Sequence, residues 1–242
     1  MYLKLMQLDF VGSMYSVAKQ MTFFEERSPV YNDVEKFFHS VSKDEINRHL
    51  DLWNEITPDS SEEIYKRYLF AFLSVHTSWQ INRKAYLEIK DWYTWVSNKE
   101  VLLQKLITSG VGLHNNRSDY IISFSQDFWK NPKKYQKQQN ESWKDCRDRI
   151  EKNIKGLGLA KSSFALEMIY PVFADVVCLD THLFQFYKLD QSKDKKQYKN
   201  LESHWTLWAK MFNLPSYIAR AIYWNRNQNQ KDCRYWADVF IN

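Results

Sequence analysis

Two short segments of this sequence carry residue types that can do chemistry. In Ile154-Lys155-Gly156-Leu157-Gly158-Leu159-Ala160-Lys161, a Gly-Leu-Gly turn lies between two stretches of helical spacing. Glycine reaches backbone conformations that other residues adopt only with strain, so the turn can be tight. A helix that begins directly after it leaves its first amide N–H groups without intrahelical acceptors. Those groups, with the helix dipole, can hold a phosphate without reading base sequence. Lys152, Lys155 and Lys161 lie on both sides of the turn and would add charge for the same ligand. The pattern equally suits an ordinary helix–helix connection.

The second segment is Val176-Val177-Cys178-Leu179-Asp180-Thr181-His182-Leu183-Phe184, entered after Pro171. An apolar run here delivers one carboxylate to the start of a helix. Asp in that place commonly caps the helix by accepting an amide N–H. Beside low-dielectric surroundings it can also stabilise positive charge developing on a sugar. Both roles fit the local sequence.

The elements that must position these segments read as helices. Pro58-Asp59-Ser60-Ser61-Glu62-Glu63 supplies cap residues and first-turn acids. Apolar residues at 64, 65, 68, 69, 72, 73, 75 and 79 then predict a buried helix over Ile64–Ile81. Further helices are expected over Val101–Ile107, closed by Ser109-Gly110, and over Ser118–Trp129, closed by Asn131-Pro132. Trp143–Ile154, Ala160–Tyr170, Thr181–Tyr187, Leu201–Phe212 and Ser216–Trp224 complete the series. With only 5 Gly and 5 Pro and little strict alternation, the fold class is all-α. Asn131–Glu141 and Gln191–Asn200 are polar, and the second is the stretch least expected to be ordered.

The 242 residues are 44% apolar and 17% aromatic, with 10 Trp, enough for a substantial core that takes most of those rings. A net charge of +5 is weak evidence for a polyanionic partner. Basic residues do recur between Lys130 and Lys161, partly offset by Glu141, Asp145, Asp148 and Glu151, which alone suggests a solvated helix face. Cys146, Cys178 and Cys233 are too widely spaced for a zinc site or a cysteine-ligated iron–sulfur cluster, and reduced thiols are expected. His76, His114 and His204 lack metal-site spacing, so neither a metal nor a cofactor is expected. The N-terminus does not have a signal-peptide layout and no uncharged apolar run could span a bilayer. A cytoplasmic protein is expected, nucleoid-associated or in a phage-infected cell, and not secreted.

Taken together and in order, these segments resemble the helix-hairpin-helix/Gly-Pro-Asp superfamily of DNA glycosylases, typified by endonuclease III and the 8-oxoguanine glycosylases. Ile154 to Gly158 takes the place of the family's Leu-Pro-Gly-Val-Gly hairpin, and Leu179-Asp180-Thr181-His182 that of its Val-Asp-Thr-His. Upstream, Phe72-Leu73-Ser74-Val75-His76-Thr77-Ser78, with Asn82 following, is similar to Leu-Leu-Ser-Ala-Gln-Ala-Thr. Leu106 to Leu113, with Arg117 and Tyr120 to Ile122, is similar to the family's Gly-Leu-Tyr-x-x-Lys-Ala-x-x-Ile. The likeness runs from about Tyr65 to Tyr187.

What the resemblance implies is a two-lobed helical fold: a central six-helix unit over 60–170, and a second lobe from 1–59 and 171–242. Duplex DNA with a damaged or modified base would be the partner, the protein acting as a monomer. Asp180 would stabilise the sugar cation or orient the nucleophile after the base is flipped from the stack. Lys155, Gly156, Leu157, Gly158, Leu159 and Ala160 would contact the backbone. His76 and Ser78 would lie near the gap left by the base. Trp79, Trp129, Phe184 and residues around Trp205 to Trp224 are candidates for the base pocket.

The departures concern Lys161 and the cluster. Bifunctional members carry a Schiff-base Lys two residues after the second hairpin Gly, where this sequence has Ala160. Counted from Asp180, Lys161 lies 19 residues upstream, as in the 8-oxoguanine glycosylases. One residue turns a helix by about 100°, so the hairpin count favours a phosphate contact for Lys161 and the other count favours lyase chemistry. The hairpin Pro is replaced by Lys155, and the iron–sulfur cysteines are missing, which points to cluster-free relatives. Two other readings stay open: a base-modification enzyme of the phage type on the same fold, and a non-catalytic DNA-binding module.

Overall fold

A computed structural model describes residues 30–230 and 232–241. In chain order its α-helices are α1 (Val30–Ser40), α2 (Lys43–Glu55), α3 (Ser61–Leu73), α4 (Trp79–Ile89), α5 (Lys99–Ser109), α6 (His114–Lys130), α7 (Trp143–Asn153), α8 (Leu159–Ile169), α9 (Thr181–Phe186), α10 (Tyr198–Met211), α11 (Ser216–Asn227) and α12 (Ala237–Phe240). Four short 3-10 turns join them, and no strand occurs among the described residues. None of these helices is long and apolar enough to cross a membrane.

The chain packs as two units, and the larger comprises Lys43–Cys178 with residues 214–241. Its central helix is α3, buried from Ile64 to Leu73 except at Lys66. The helix starts as the sequence suggests: Ser60 Oγ accepts the Glu63 N–H at 3.2 Å and the Glu63 carboxylate accepts the Asp59 N–H at 2.8 Å. It stops at Leu73, short of the expected Ile81. Ser74 Oγ turns back to Ala71 O at 2.8 Å and Thr77 Oγ1 to Val75 O at 2.9 Å, local bonds that compete with helix continuation. His76 takes a left-handed φ of 49°, and Ser78 then caps α4. The apolar stripe ran on because two successive helices bury residues on either side of one loop.

The larger unit is closed by elements from both sides of the sequence. Trp53 on α2 is wholly buried and meets Tyr217 on α11 at 4.7 Å and Trp236 at 5.3 Å between ring centres. His49 Nε2 lies 3.2 Å from Asn225 Nδ2, and Arg226 pairs with Glu45 at 2.7 Å. Residues 43–59 and 214–241 thus pack with the central helices, whereas the sequence-based division put them in the second lobe. The cause is long-range: a buried Trp finds its partners more than 160 residues away, and helical periodicity carries no such information.

The smaller unit takes residues 30–42 and Leu179–Asn213; residues 1–29 of the expected N-terminal part lie outside the described residues. Phe37 and Phe38 on α1 pack against Trp205 at 5.5 and 5.1 Å, and Phe38 also meets Phe212 at 5.7 Å. The Gln191–Asn200 tract, expected to be loose, is built. Asp190 Oδ1 accepts the Ser192 N–H at 2.8 Å, a 3-10 turn follows over Lys195–Gln197, and α10 begins at Tyr198. Short polar side chains that bond their own backbone order a stretch that composition alone marks as soluble.

Candidate functional site

The hairpin joins α7 to α8. Ile154 leaves α7 with its N–H still bonded to Ile150 O, and Leu157 N–H reaches back to Ile154 O at 3.2 Å. Gly156 has φ +95°, a conformation that strains any side chain. It is also filled from the side: a Cβ there would collide with Tyr120 Cδ2, so the α6 ring lies flush on the bare backbone. Gly158 is different. Its backbone is extended, with φ −78° and ψ 178°, and an added Cβ would meet nothing within 4 Å. Open space at Gly158 leaves room for a ligand to approach the main chain.

Leu157 is buried, at 2% exposure, and anchors the turn from inside. Outside it, α8 begins with no side-chain cap. The Lys161 and Ser162 N–H groups bond to Gly158 O at 3.0 and 2.9 Å, while those of Leu159 and Ala160 find no acceptor among the described residues. Two free donors at the positive end of an 11-residue helix form an anion-binding feature. Lys152 and Lys155 are exposed beside it. Lys161 is half-buried and folds back, its Nζ 5.5 Å from the Phe164 ring centre.

Part of the basic tract has another job. Arg147 is 1% exposed and bonds to Ser163 Oγ at 3.3 Å and Asp148 at 2.6 Å. Arg149 grips Glu141 at 2.6 Å and Gln136 O at 2.9 Å, and its guanidinium holds the Glu141 carboxyl down at about 2. Arg149 thus braces the Asn131–Glu141 connection and Arg147 ties α7 to α8, so both are engaged within the protein.

Asp180 belongs to the smaller unit and caps α9: its Oδ1 accepts the Leu183 N–H at 3.0 Å. The bond orients the carboxylate, which is half-buried. The approach to it lies outside any helix and is buried at Val176, Val177, Cys178 and Leu179. With no neighbouring strand, its backbone groups use side chains. Cys178 N–H donates to Glu167 Oε1 at 3.0 Å, Leu179 N–H to Tyr198 Oη at 3.3 Å, and Gln191 Nε2 to Leu179 O at 3.1 Å. Thr181 Oγ1 then donates to Gln191 Oε1 at 2.9 Å.

A third piece is the loop between α3 and α4, in the larger unit, where His76 and Ser78 are exposed. Arg117, 4% exposed on α6, pins it through Val75 O and Thr77 Oγ1, the latter at 3.0 Å. Burial lowers the Arg117 guanidinium to about 10. Ser78 Oγ accepts the Ile81 N–H at 3.4 Å and so acts as a helix cap.

The structure therefore joins Lys155 to Lys161 in one turn and His76 with Ser78 in one loop, and sets Asp180 on a separate turn of the other unit. The base-pocket candidates differ in exposure. Trp205 and Phe184 are 0% and 1% exposed, and Trp129 stacks on Trp92 at 4.3 Å; Trp79 stays half-exposed against Trp236. Glu167, Gln191 and Tyr198 were missed. Glu167 had a visible signal, a lone charge within the otherwise apolar Phe164–Ile169 run. Gln191 and Tyr198 had none, because they lie in the tract that composition marks as loose.

The 8-oxoguanine DNA glycosylase family model with a helix-hairpin-helix matches residues 19–214. Among solved structures the chain is similar to the 8-oxoguanine glycosylase/lyase of Methanocaldococcus jannaschii in complex with a 15mer DNA containing 8-oxoguanine. Identity is 21% and the TM-score 0.66, over 84% of this chain and 98% of that one. It is similar also to the 8-oxoguanine DNA glycosylase Tm1821 of Thermotoga maritima, at 20% identity and TM-score 0.61, covering 90% and 99% of the two chains. No curated protein sequence matches it.

Proposed function

Because the chain belongs to the 8-oxoguanine DNA glycosylase family, and is thus a DNA glycosylase of base excision repair, we propose that it excises 8-oxoguanine from duplex DNA with Asp180 as the catalytic carboxylate. Cleavage of an N-glycosidic bond sends the bonding electrons out with the base and leaves positive charge at C1′ of the sugar. A fixed carboxylate facing C1′ lowers that barrier or aligns the nucleophile that follows. The observation that carries the assignment is the way Asp180 is delivered. A buried run held by Glu167, Tyr198 and Gln191 ends in one carboxylate whose Oδ1 is oriented by Leu183 N–H.

The remaining roles follow from the target's geometry. A base must leave the stack before its glycosidic bond can be reached. The free amides of Leu159 and Ala160, the open main chain at Gly158 and the exposed Lys155 suit the phosphates beside the extruded nucleotide. His76, exposed on a loop pinned by Arg117, suits the gap the base leaves. The enzyme works as a monomer, wherever the cell or an infecting phage keeps its DNA.

One observation favours an added lyase step through Lys161. Its amine folds over the Phe164 ring, and the Arg220 guanidinium lies 5.2 Å from the same ring. A primary amine in the hairpin's own helix is the nucleophile that Schiff-base chemistry at the sugar needs.

End-labelled duplexes bearing 8-oxoguanine, other oxidised purines or oxidised pyrimidines test the proposal. Strand scission after alkali with 8-oxoguanine as the preferred substrate is expected. Scission without alkali, together with a borohydride-trapped adduct lost in Lys161→Gln, assigns the lyase step. An altered base still attached to its sugar, or binding with no product, overturns the excision reading.

A further inference from the structure

Glu167 and Arg220 form a buried ion pair. Glu167 is 0% and Arg220 5% exposed. Arg220 Nε donates to Glu167 Oε1 at 2.9 Å and its Nη2 lies 2.8 Å from Oε2, a two-pronged grip. The guanidinium is held between the Phe164 and Tyr217 rings, at 5.2 Å from each centre. Removing two charges from water costs several kcal/mol per ion, so roughly speaking an apolar pair of similar volume serves stability as well or better. Stability alone therefore does not account for the pair.

What the pair does visibly is hold a backbone. Glu167 Oε1 also accepts the Cys178 N–H at 3.0 Å. Cys178 ends the first segment of the larger unit, and the chain enters the smaller one at Leu179. On that far side Leu179 is gripped by Tyr198 and Gln191. Asp180 comes next. We propose that Glu167, braced by Arg220, is a positioning residue that fixes where the chain leaves the larger unit and so aims the Asp180 carboxylate. The inference rests on the reading of Asp180 as catalytic.

The test compares single-turnover excision with binding to a duplex carrying a tetrahydrofuran abasic analogue. Glu167→Leu with Arg220→Leu removes both charges and the acceptor for Cys178. Its expected result is a folded protein whose melting temperature drops by a few degrees, roughly the cost of one unpaired buried N–H, a Kd within about 3-fold, and excision slowed by about 10- to 100-fold, since small misplacement of a reacting group costs on that order. Glu167→Gln with Arg220→Gln restores an uncharged acceptor and recovers most of the rate. Excision at the wild-type rate by the folded double-leucine variant overturns the proposal. Should that variant not fold, Arg220→Lys decides: it keeps the charge without the two-pronged grip, several-fold slower excision at unchanged Kd supports the positioning role, and wild-type excision refutes it. Asp180→Asn run in parallel separates the two claims. An inactive Asp180→Asn beside a fully active double-leucine variant sinks the positioning role alone, and an active Asp180→Asn sinks the reading beneath it.

Discussion

Gly158 and Asp180 each occupy the residue before a helix, and they differ in what they leave for a ligand. Before α8 there is no side-chain cap, the Leu159 and Ala160 amides stay open, and the main chain at Gly158 has clear space around it. Before α9 the cap is made by Asp180 itself, and the residues leading in are bonded to Glu167, Tyr198 and Gln191. One turn offers several weak donors to a repeating anion; the other fixes one charge. The proposed function gives backbone binding to the hairpin and bond cleavage to the Asp180 turn.

The largest effect should come from Asp180→Asn. Asn caps helices as well as Asp does, so the variant keeps its fold while losing the charge. Excision should fall by about 10^3-fold, roughly 4 kcal/mol in barrier, with melting temperature unchanged.

Acid should weaken the Asp180 side next. His204 on α10 receives the Trp208 Nε1–H at Nε2, 3.1 Å, and meets Tyr187 Oη at Nδ1, 3.0 Å, so it is neutral and ties the end of α9 to α10. Burial lowers it from 6.5 to about 4. The unfolded chain therefore binds a proton between those values that the folded chain refuses. This contribution to stability is complete above pH 6.5, declines as pH falls, and levels off near pH 4, about 3 kcal/mol in all. Urea midpoints at pH 7.5 and 4.5 check it, and His204→Asn should flatten the difference.

The two hairpin glycines should separate by smaller amounts. Gly156→Ala meets both the positive φ and the Tyr120 ring, and should destabilise the protein by about 2 kcal/mol. Gly158→Ala, extended and unobstructed, should cost at most about 1 kcal/mol of stability while weakening duplex binding. Lys161→Gln tests whether the lysine belongs to the hairpin's electrostatic surface. If it does, the slope of log affinity against log salt drops by about 1.

Much of this was legible in the sequence because it rests on local chemistry. The Gly-Leu-Gly turn, the Asp180 cap, the Ser60 cap and the Gly110 termination each follow from residue types within one helical turn. Long-range contacts were hidden. Nothing near Glu167 reveals Arg220 as its partner, 53 residues on, and nothing near Trp53 reveals Tyr217. The Ile64–Ile81 stripe misled because an apolar pattern does not register the break that Ser74 and Thr77 impose. The basic tract misled in part because charge along a helix does not show which arginines, here Arg147 and Arg149, turn inward.

The division between the two turns is tested most directly by measuring Kd and single-turnover excision on one 8-oxoguanine duplex for Asp180→Asn and Gly158→Ala together. The account predicts opposite patterns: Asp180→Asn binds like wild type and does not excise, while Gly158→Ala binds more weakly and excises at the wild-type rate once saturated. Excision by Asp180→Asn at the wild-type rate would contradict it.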